Sequence, residues 1–161
     1  MKNLLIISND EVNFSKNQIS TKYNDTINIL DTLNKKFNVF LISRVSKSKD
    51  NFTVKKKNIS RLDFKKFLIL RKKKLNTLMI SITPRNIFFY LLLNLFFNNL
   101  KNFVYLRSDG YKEYKTKFGE LGRCCFALMM KILGKKIKII SVSKNITSPK
   151  IDYLITPSEL N

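Results

Sequence analysis

Short apolar runs recur along this chain, each followed by a stretch long enough for a helix, and that alternation constrains the fold more than any other feature. The runs fall at residues 4–8, 38–43, 59–62, 78–82, 103–106, 137–142 and 153–156. Between the first two, Ile27, Leu30 and Leu33 keep helical spacing behind Asn24 or Asp25 as N-cap. The run at 59–62 leads into a basic helix, and Pro84 opens another through Ile87. A further helix carries Tyr111, Tyr114, Phe118, Leu121, Cys125, Leu128 and Ile132 at steps of three and four, which predicts one core-facing stripe closed by Gly134. Cys124 and Cys125 lie close to that stripe and read as packing residues. Strands alternating with helices predict an α/β fold, a single domain built on a doubly wound, mostly parallel sheet. In such folds a ligand crevice lies outside the carboxyl ends of the strands. Here those ends are Ser8-Asn9-Asp10-Glu11, Ser43-Arg44, Ser81-Ile82-Thr83, Arg107-Ser108-Asp109-Gly110, Ser141-Val142-Ser143-Lys144 and Pro157-Ser158-Glu159, all of them polar.

Composition narrows the chemistry. The 161 residues are 44% hydrophobic and 26% charged, which is globular composition for about one domain. Thirty-one Lys and Arg oppose eleven Asp and Glu, a net charge of +20. Lys, Asn and Ile share AT-rich codons, so any one Lys reflects either genomic bias or a selected surface. Either way the field attracts phosphates, nucleic acid or anionic lipid. The absence of His removes imidazole bases, Ser-His-Asp and Cys-His nucleophiles, and His metal sites. Two adjacent Cys do not make a zinc site, so no metal or other cofactor is expected.

The loops exclude more. None of the four Gly (110, 119, 122 and 134) stands after the first strand, which argues against a dinucleotide fingerprint, and no Gly-Lys-Ser/Thr loop occurs. The strand at 78–82 has no Asp to complete a phospho-receiver pocket with Asp10 and Glu11, and no Asp-x-Asp clamp exists. The opening apolar run is too short for a signal peptide, and the run 87–97 falls short of the ~20 residues of a spanning helix. A cytoplasmic protein, peripheral on the inner face of the plasma membrane, is the expectation. Sequons such as Asn51-Phe52-Thr53 are then chance products of Asn richness.

Four segments occur in a telling order: Val104-Tyr105-Leu106-Arg107-Ser108-Asp109-Gly110-Tyr111, then Gly119-Glu120-Leu121-Gly122-Arg123, then Ile140-Ser141-Val142-Ser143-Lys144, then Pro157-Ser158-Glu159-Leu160. That succession resembles the N-terminal half of nucleotide-sugar glycosyltransferases of the GT-B class, specifically the large retaining family four. The resemblance implies a Rossmann-like domain over residues 1–156, with 157–161 beginning a linker to an absent donor domain. It further implies that the N-terminal domain receives the acceptor, a glycan or lipid-linked glycan of the bacterial surface. The nucleotide-sugar donor is a substrate held mainly by the other domain, so the chain alone is expected to be inactive. Where the family has a Gly-rich turn after the first strand, this sequence has Asn9-Asp10-Glu11-Val12. Where many members have a His after the strand at 103–106, it has Ser108-Asp109.

The candidate acceptor residues are therefore Asp10, Glu11, Ser108, Asp109, Ser141, Ser143 and Lys144. Each has a plainer reading. Asp109 before Gly110 suits a turn or a helix cap, Asp10 and Glu11 suit a solvated loop, and strand-end Ser often satisfies backbone groups. Lys55, Lys56 and Lys57 with Arg71, Lys72, Lys73 and Lys74 flank Phe64, Phe67 and Leu68, either as a patch for anionic head groups or as a solvated face. A rival reading is a basic α/β nucleic-acid-binding protein, supported by the charge and weakened by only six Arg. A third is a truncated gene product without activity of its own.

Overall fold

The computed structural model describes residues 1–46, 52–71, 73–97, 100–134, 137–142, 146 and 151–154. The first strand, β1 (Lys2–Phe14), is apolar at every position from Leu4 to Ile7, so both of its faces must be covered. Side chains alternate across a strand. Leu5 and Ile7 therefore enter one core cluster, and Leu4 and Ile6 the other. The chain continues through β2 (Gln18–Thr21), α1 (Asn24–Asn34), β3 (Phe37–Val45), β4 (Phe52–Lys55), β5 (Ile59–Arg61) and α2 (Phe64–Arg71). Then come β6 (Leu75–Ile80), α3 (Pro84–Phe96), β7 (Leu100–Leu106), α4 (Gly110–Leu133), β8 (Lys138–Ser141) and β9 (Tyr153–Leu154).

Among the described residues this is an α/β fold with four helices and an open, mostly parallel nine-stranded sheet. The parallel strands lie in the order β5-β3-β1-β6-β7-β8-β9. The antiparallel pairings β1–β2 and β2–β4 add a ribbon beyond the carboxyl half of β1. Ile27 and Leu30 of α1 cover the face that carries Leu4 and Ile6. Leu70 of α2, Leu93 of α3 and Met129 of α4 cover the opposite face. Helices thus lie on both sides of the sheet, and the order runs outward in both directions from the β1–β6 pair.

Four expectations need correction. The first strand does not turn into a helix at Asn9–Val12; it runs on to Phe14 and pairs with β2, because Val12 and Ile19 are buried partners in the ribbon. The N-cap of α1 is Tyr23 rather than Asn24 or Asp25, and it makes no side-chain cap bond. The stripe on α4 does not stay on the core side. Gly119 adopts φ 66° and ψ −155°, a conformation close to Gly-only, and the helix resumes in a new phase. The core-facing set beyond it is Gly122, Phe126, Met129 and Leu133, one residue on from the predicted Leu121, Leu128 and Ile132, which are exposed. The same shift leaves Cys124 and Cys125 exposed instead of packed. Gly122 is itself needed, since a Cβ there would overlap the Tyr114 carbonyl oxygen where the kink brings the chain close to itself. Gly134 does cap α4, and Pro84 opens α3 behind Thr83, whose hydroxyl accepts from the Asn86 N–H at 3.3 Å. Residues 155 and 156 of the last predicted strand lie outside the described residues.

Candidate functional site

A cavity of about 320 Å³ opens at the carboxyl ends of β1, β6 and β7. Asn9, Ser81, Thr83, Arg107 and Ser108 wall its strand side, and Glu113, Tyr114, Lys117 and Phe118 wall the α4 side. Its position follows from the topology: β1 and β6 are the pair from which the strand order runs in opposite directions.

An irregularity in β1 lies behind the strand-side wall. Between Ile7 and Glu11 the strand advances four residues while β3 advances two, from Ile42 to Arg44. Asp10 N–H donates to Ser8 Oγ at 3.1 Å inside that irregularity, which is the kind of device that re-aims a side chain. Asp10 meets Arg107, with Nη2 donating to Oδ2 at 2.9 Å and Nη1 to Oδ1 at 3.4 Å. The fully buried Thr26 completes the cluster. Its hydroxyl donates to Asp10 Oδ2 and accepts from Arg107 Nη2 at 2.6 Å. The paired side chains of Arg107 and Asp10 are 18% and 13% exposed, so this bidentate bond is largely shielded from solvent. Arg107 Nε and Asn9 Oδ1 are buried without a hydrogen-bond partner on the protein.

The turn after β6 forms the opposite lip. Ser81 sits at φ 64°, the one non-glycine positive φ among the described residues. Such strain persists only when its surroundings hold it. Ser81 N–H donates to the Tyr105 carbonyl at 3.0 Å, and the buried Asn86 Nδ2 donates to the Ile80 and Ser81 carbonyls at 2.9 and 3.0 Å. Arg85 reaches back to the Ser8 carbonyl at 2.8 Å and lies 4.9 Å over the Phe89 ring. Burial first, and then the Arg44 charge, hold the Arg85 pKa below its ordinary value. Among the described residues neither Arg44 nor Arg85 forms an ion pair, so two guanidinium groups stand unneutralised along this rim. Burial, followed by Glu113 and Cys125, pushes the Tyr114 hydroxyl above its usual range and keeps it a proton donor at neutral pH.

The predicted acceptor residues are placed unequally. Asp10 lies behind the cavity wall, bound to Arg107, Ser108 is exposed on that wall, and Glu11 is exposed opposite Arg44 on β3. Asp109 caps α4, its Oδ1 accepting from Tyr111 N–H at 3.0 Å and Lys112 N–H at 3.3 Å, which is the plainer of its two readings. Ser141 is fully buried at the end of β8. Ser143, Lys144 and Lys72 lie outside the described residues. The expected basic patch is divided. Lys56 reaches the Ser15 carbonyl at 3.3 Å, and the Lys55 carbonyl accepts from Asn34 on α1, so Lys55, Lys56 and Lys57 belong with the ribbon. Arg71 lines a groove between α2 and α3. Lys73 and Lys74 join Lys2 and Lys101 around a concavity of about 720 Å³ at the amino ends of the strands.

Sequence reasoning missed Thr26, Arg85 and Tyr114, and named Ser81 and Arg107 only as polar strand ends. A usable signal was available: in a chain biased toward Lys, Arg is the informative cation. Three of the six, Arg44, Arg85 and Arg107, gather at the carboxyl rim. Among the described residues no group of three His, Cys, Asp or Glu gathers that could hold a metal ion. Comparison with protein-family models, with curated proteins and with solved structures returned no match.

Proposed function

We propose that this chain is the acceptor-side, Rossmann-like domain of a nucleotide-sugar-dependent glycosyltransferase of GT-B architecture, acting on surface or lipid-linked glycans. The observation that carries the reading is the crevice at the β1–β6 reversal, whose wall residue Arg107 is held from behind by Asp10 and Thr26. The parallel order supports it: β5-β3-β1-β6-β7-β8 is the arrangement of a doubly wound nucleotide-binding-type sheet, whose ligands lie at that reversal. Asp10 is engaged by Arg107, so it acts as a positioning residue. Ser108, Tyr114 and the unpartnered Asn9 Oδ1 offer the mixture of donors and acceptors that sugar hydroxyls require. In this architecture the donor phosphates are held by a facing domain, and departure of the leaving phosphate is stabilised electrostatically by basic groups. Lys117 on the cleft wall, with Arg44 and Arg85 along the carboxyl rim, are the cations this chain adds.

The test is a titration of the 161-residue chain with soluble glycan fragments, followed by amide chemical shifts. Shifts centred on Asn9, Ser108 and Tyr114, abolished by Ser108→Trp, are expected. Shifts confined to the amino ends of the strands, or sugar-nucleotide turnover by the chain alone, overturn the reading. One observation favours a nucleic-acid-binding protein instead: the amino-end concavity is lined by Lys2, Lys73, Lys74 and Lys101 without a carboxylate. Binding to random DNA that is tighter than to anionic vesicles, with a steep salt slope, would favour that second reading.

A further inference from the structure

Helix α3 is apolar all round. From Ile87 to Phe96 it has no charged residue, and its one amide, Asn94, is turned to its own turn and to Asn102. One row, Ile87, Tyr90 and Leu93, enters the core, yet the opposite row, Phe88, Leu91 and Leu95, is open, with Leu95 77% exposed. A helix apolar on every side belongs inside something. Helix α4 repeats the pattern beyond its kink: Phe126, Met129 and Leu133 pack inward while Leu121, 80% exposed, Leu128 and Ile132 point outward. Helix α2 adds Phe64, Leu68 and Ile69, all exposed. Between α2 and α3 runs an apolar groove of about 470 Å³ whose one charged lining residue is Arg71. The three helices share one side of the sheet, so these exposed rows all open on that side, too many to be the single apolar residues that any surface carries.

The charge on that face selects what covers it. The three helices carry nine basic residues against two acidic ones; Arg85 and Lys117 belong to the crevice rim, and Lys66, Lys115 and Arg123 pair with Asp63 and Glu120, which leaves Lys65, Arg71, Lys112 and Lys131. A second copy would set these cations against their own kind. An anionic surface with an apolar interior satisfies both the rows and the cations, and among the described residues no helix is long and apolar enough to cross a membrane. We propose that the outward face of α2, α3 and α4 lies on an anionic lipid bilayer. Phe88, Leu91, Leu95, Leu121, Leu128 and Ile132 sit at acyl depth, the basic residues sit among phosphates, and Arg71 places a cation at the mouth of the α2–α3 groove. This surface is distinct from Lys55, Lys56 and Lys57. Because Tyr114, Lys117 and Phe118 of α4 also wall the crevice, the crevice opens at the edge of the docked face. Its acceptor would therefore be membrane-anchored; that last step alone rests on the transferase reading.

The experiment is flotation of the intact chain with vesicles of phosphatidylglycerol and phosphatidylcholine, and with phosphatidylcholine alone. Two double variants lower the net charge equally: Leu95→Glu with Leu121→Glu, and Lys55→Gln with Lys57→Gln. All four positions are exposed, so the fold tolerates them. The expected result is binding to the anionic vesicles, lost by about tenfold or more in the leucine pair and by no more than about twofold in the lysine pair. As the chain has no Trp, Leu95→Trp supplies a single emitter whose fluorescence shifts to the blue on the anionic vesicles. Equal losses in the two pairs overturn the proposal, because net charge alone would then drive binding. It is overturned likewise by absence of binding to anionic vesicles. A lipid-independent dimer that the leucine pair dissolves would assign the face to a second copy. Glycan-induced shifts at Ser108 report the crevice separately, so either reading can fail without the other.

Discussion

Asp10 and Arg107 are 97 positions apart, and their bond is the point where the amino-terminal ribbon, α1 and the β7 loop are tied together. Removing one partner leaves the other charged and largely shielded, which costs more than the pair itself contributes. Asp10→Ala is therefore expected to lower unfolding stability by about 2–3 kcal/mol. Asp10→Leu combined with Arg107→Met should cost clearly less than the sum of the two single changes, as a double-mutant cycle in urea would measure. Additive losses would mean that the two side chains are not coupled. At this scale the sequence was half legible. Polar residues at strand ends marked Asp10 and Arg107 as rim positions, but their pairing depends on the two extra residues that β1 spends between Ile7 and Glu11, which no periodicity announces. Asp109 shows the opposite limit, because the same residue at the same loop serves equally well as a cap or as a ligand until its hydrogen bonds are known.

At the scale of the element, α4 decides most. Its predicted stripe is half-buried at Tyr111 and Tyr114, exposed at Phe118, and one residue out of phase beyond Gly119, because a spacing rule carries no information about a single residue with positive φ. Nothing lies within 4 Å of the Cβ position at Gly119, so Gly119→Ala introduces no clash and tests backbone conformation alone. It should destabilise the chain by about 1–3 kcal/mol in urea unfolding, the cost of holding a non-glycine residue there. A neutral result would mean that the kink is not held. Glu120 lies just past the break and reaches Lys115 before it, at 2.5 Å, as well as Arg123 after it, at 3.6 Å. The hydrogen bond from Lys115, foremost, holds its carboxyl below the ordinary glutamate value. A carboxylate depressed in the folded state stabilises above its unfolded pKa and loses that contribution as pH falls through the folded one. In a side-chain NMR titration Glu120 should thus have its midpoint below that of an unpaired glutamate, and Lys115→Ala should move it upward. The strands β2 and β4 were missed for a related reason: they are four residues each and owe their place to pairing with β1 and with each other.

For the whole molecule, the alternation of strands and helices was readable because central parallel strands are buried on both faces, and the runs 4–7, 78–80 and 104–106 of β1, β6 and β7 are apolar and buried. What alternation does not carry is which helical face stays bare, since a bilayer-facing row and a core-facing row have the same composition and the same period. Charge separates the two consequences of this surface. A net charge of +20 repels itself within the folded chain, and salt screens that repulsion over a Debye length of about 10 Å at 0.1 M. Raising NaCl from about 0.03 M to about 0.3 M should therefore raise Tm, by about 2–4 °C for each kcal/mol of repulsion removed. The same change weakens attraction to anionic vesicles, so flotation should fall while Tm rises. A face held by charge alone would lose nearly all binding over that range. A face that also seats Leu95 and Leu121 among acyl chains keeps a salt-resistant fraction, and the Leu95→Glu, Leu121→Glu chain should lose that fraction while keeping the same rise in Tm.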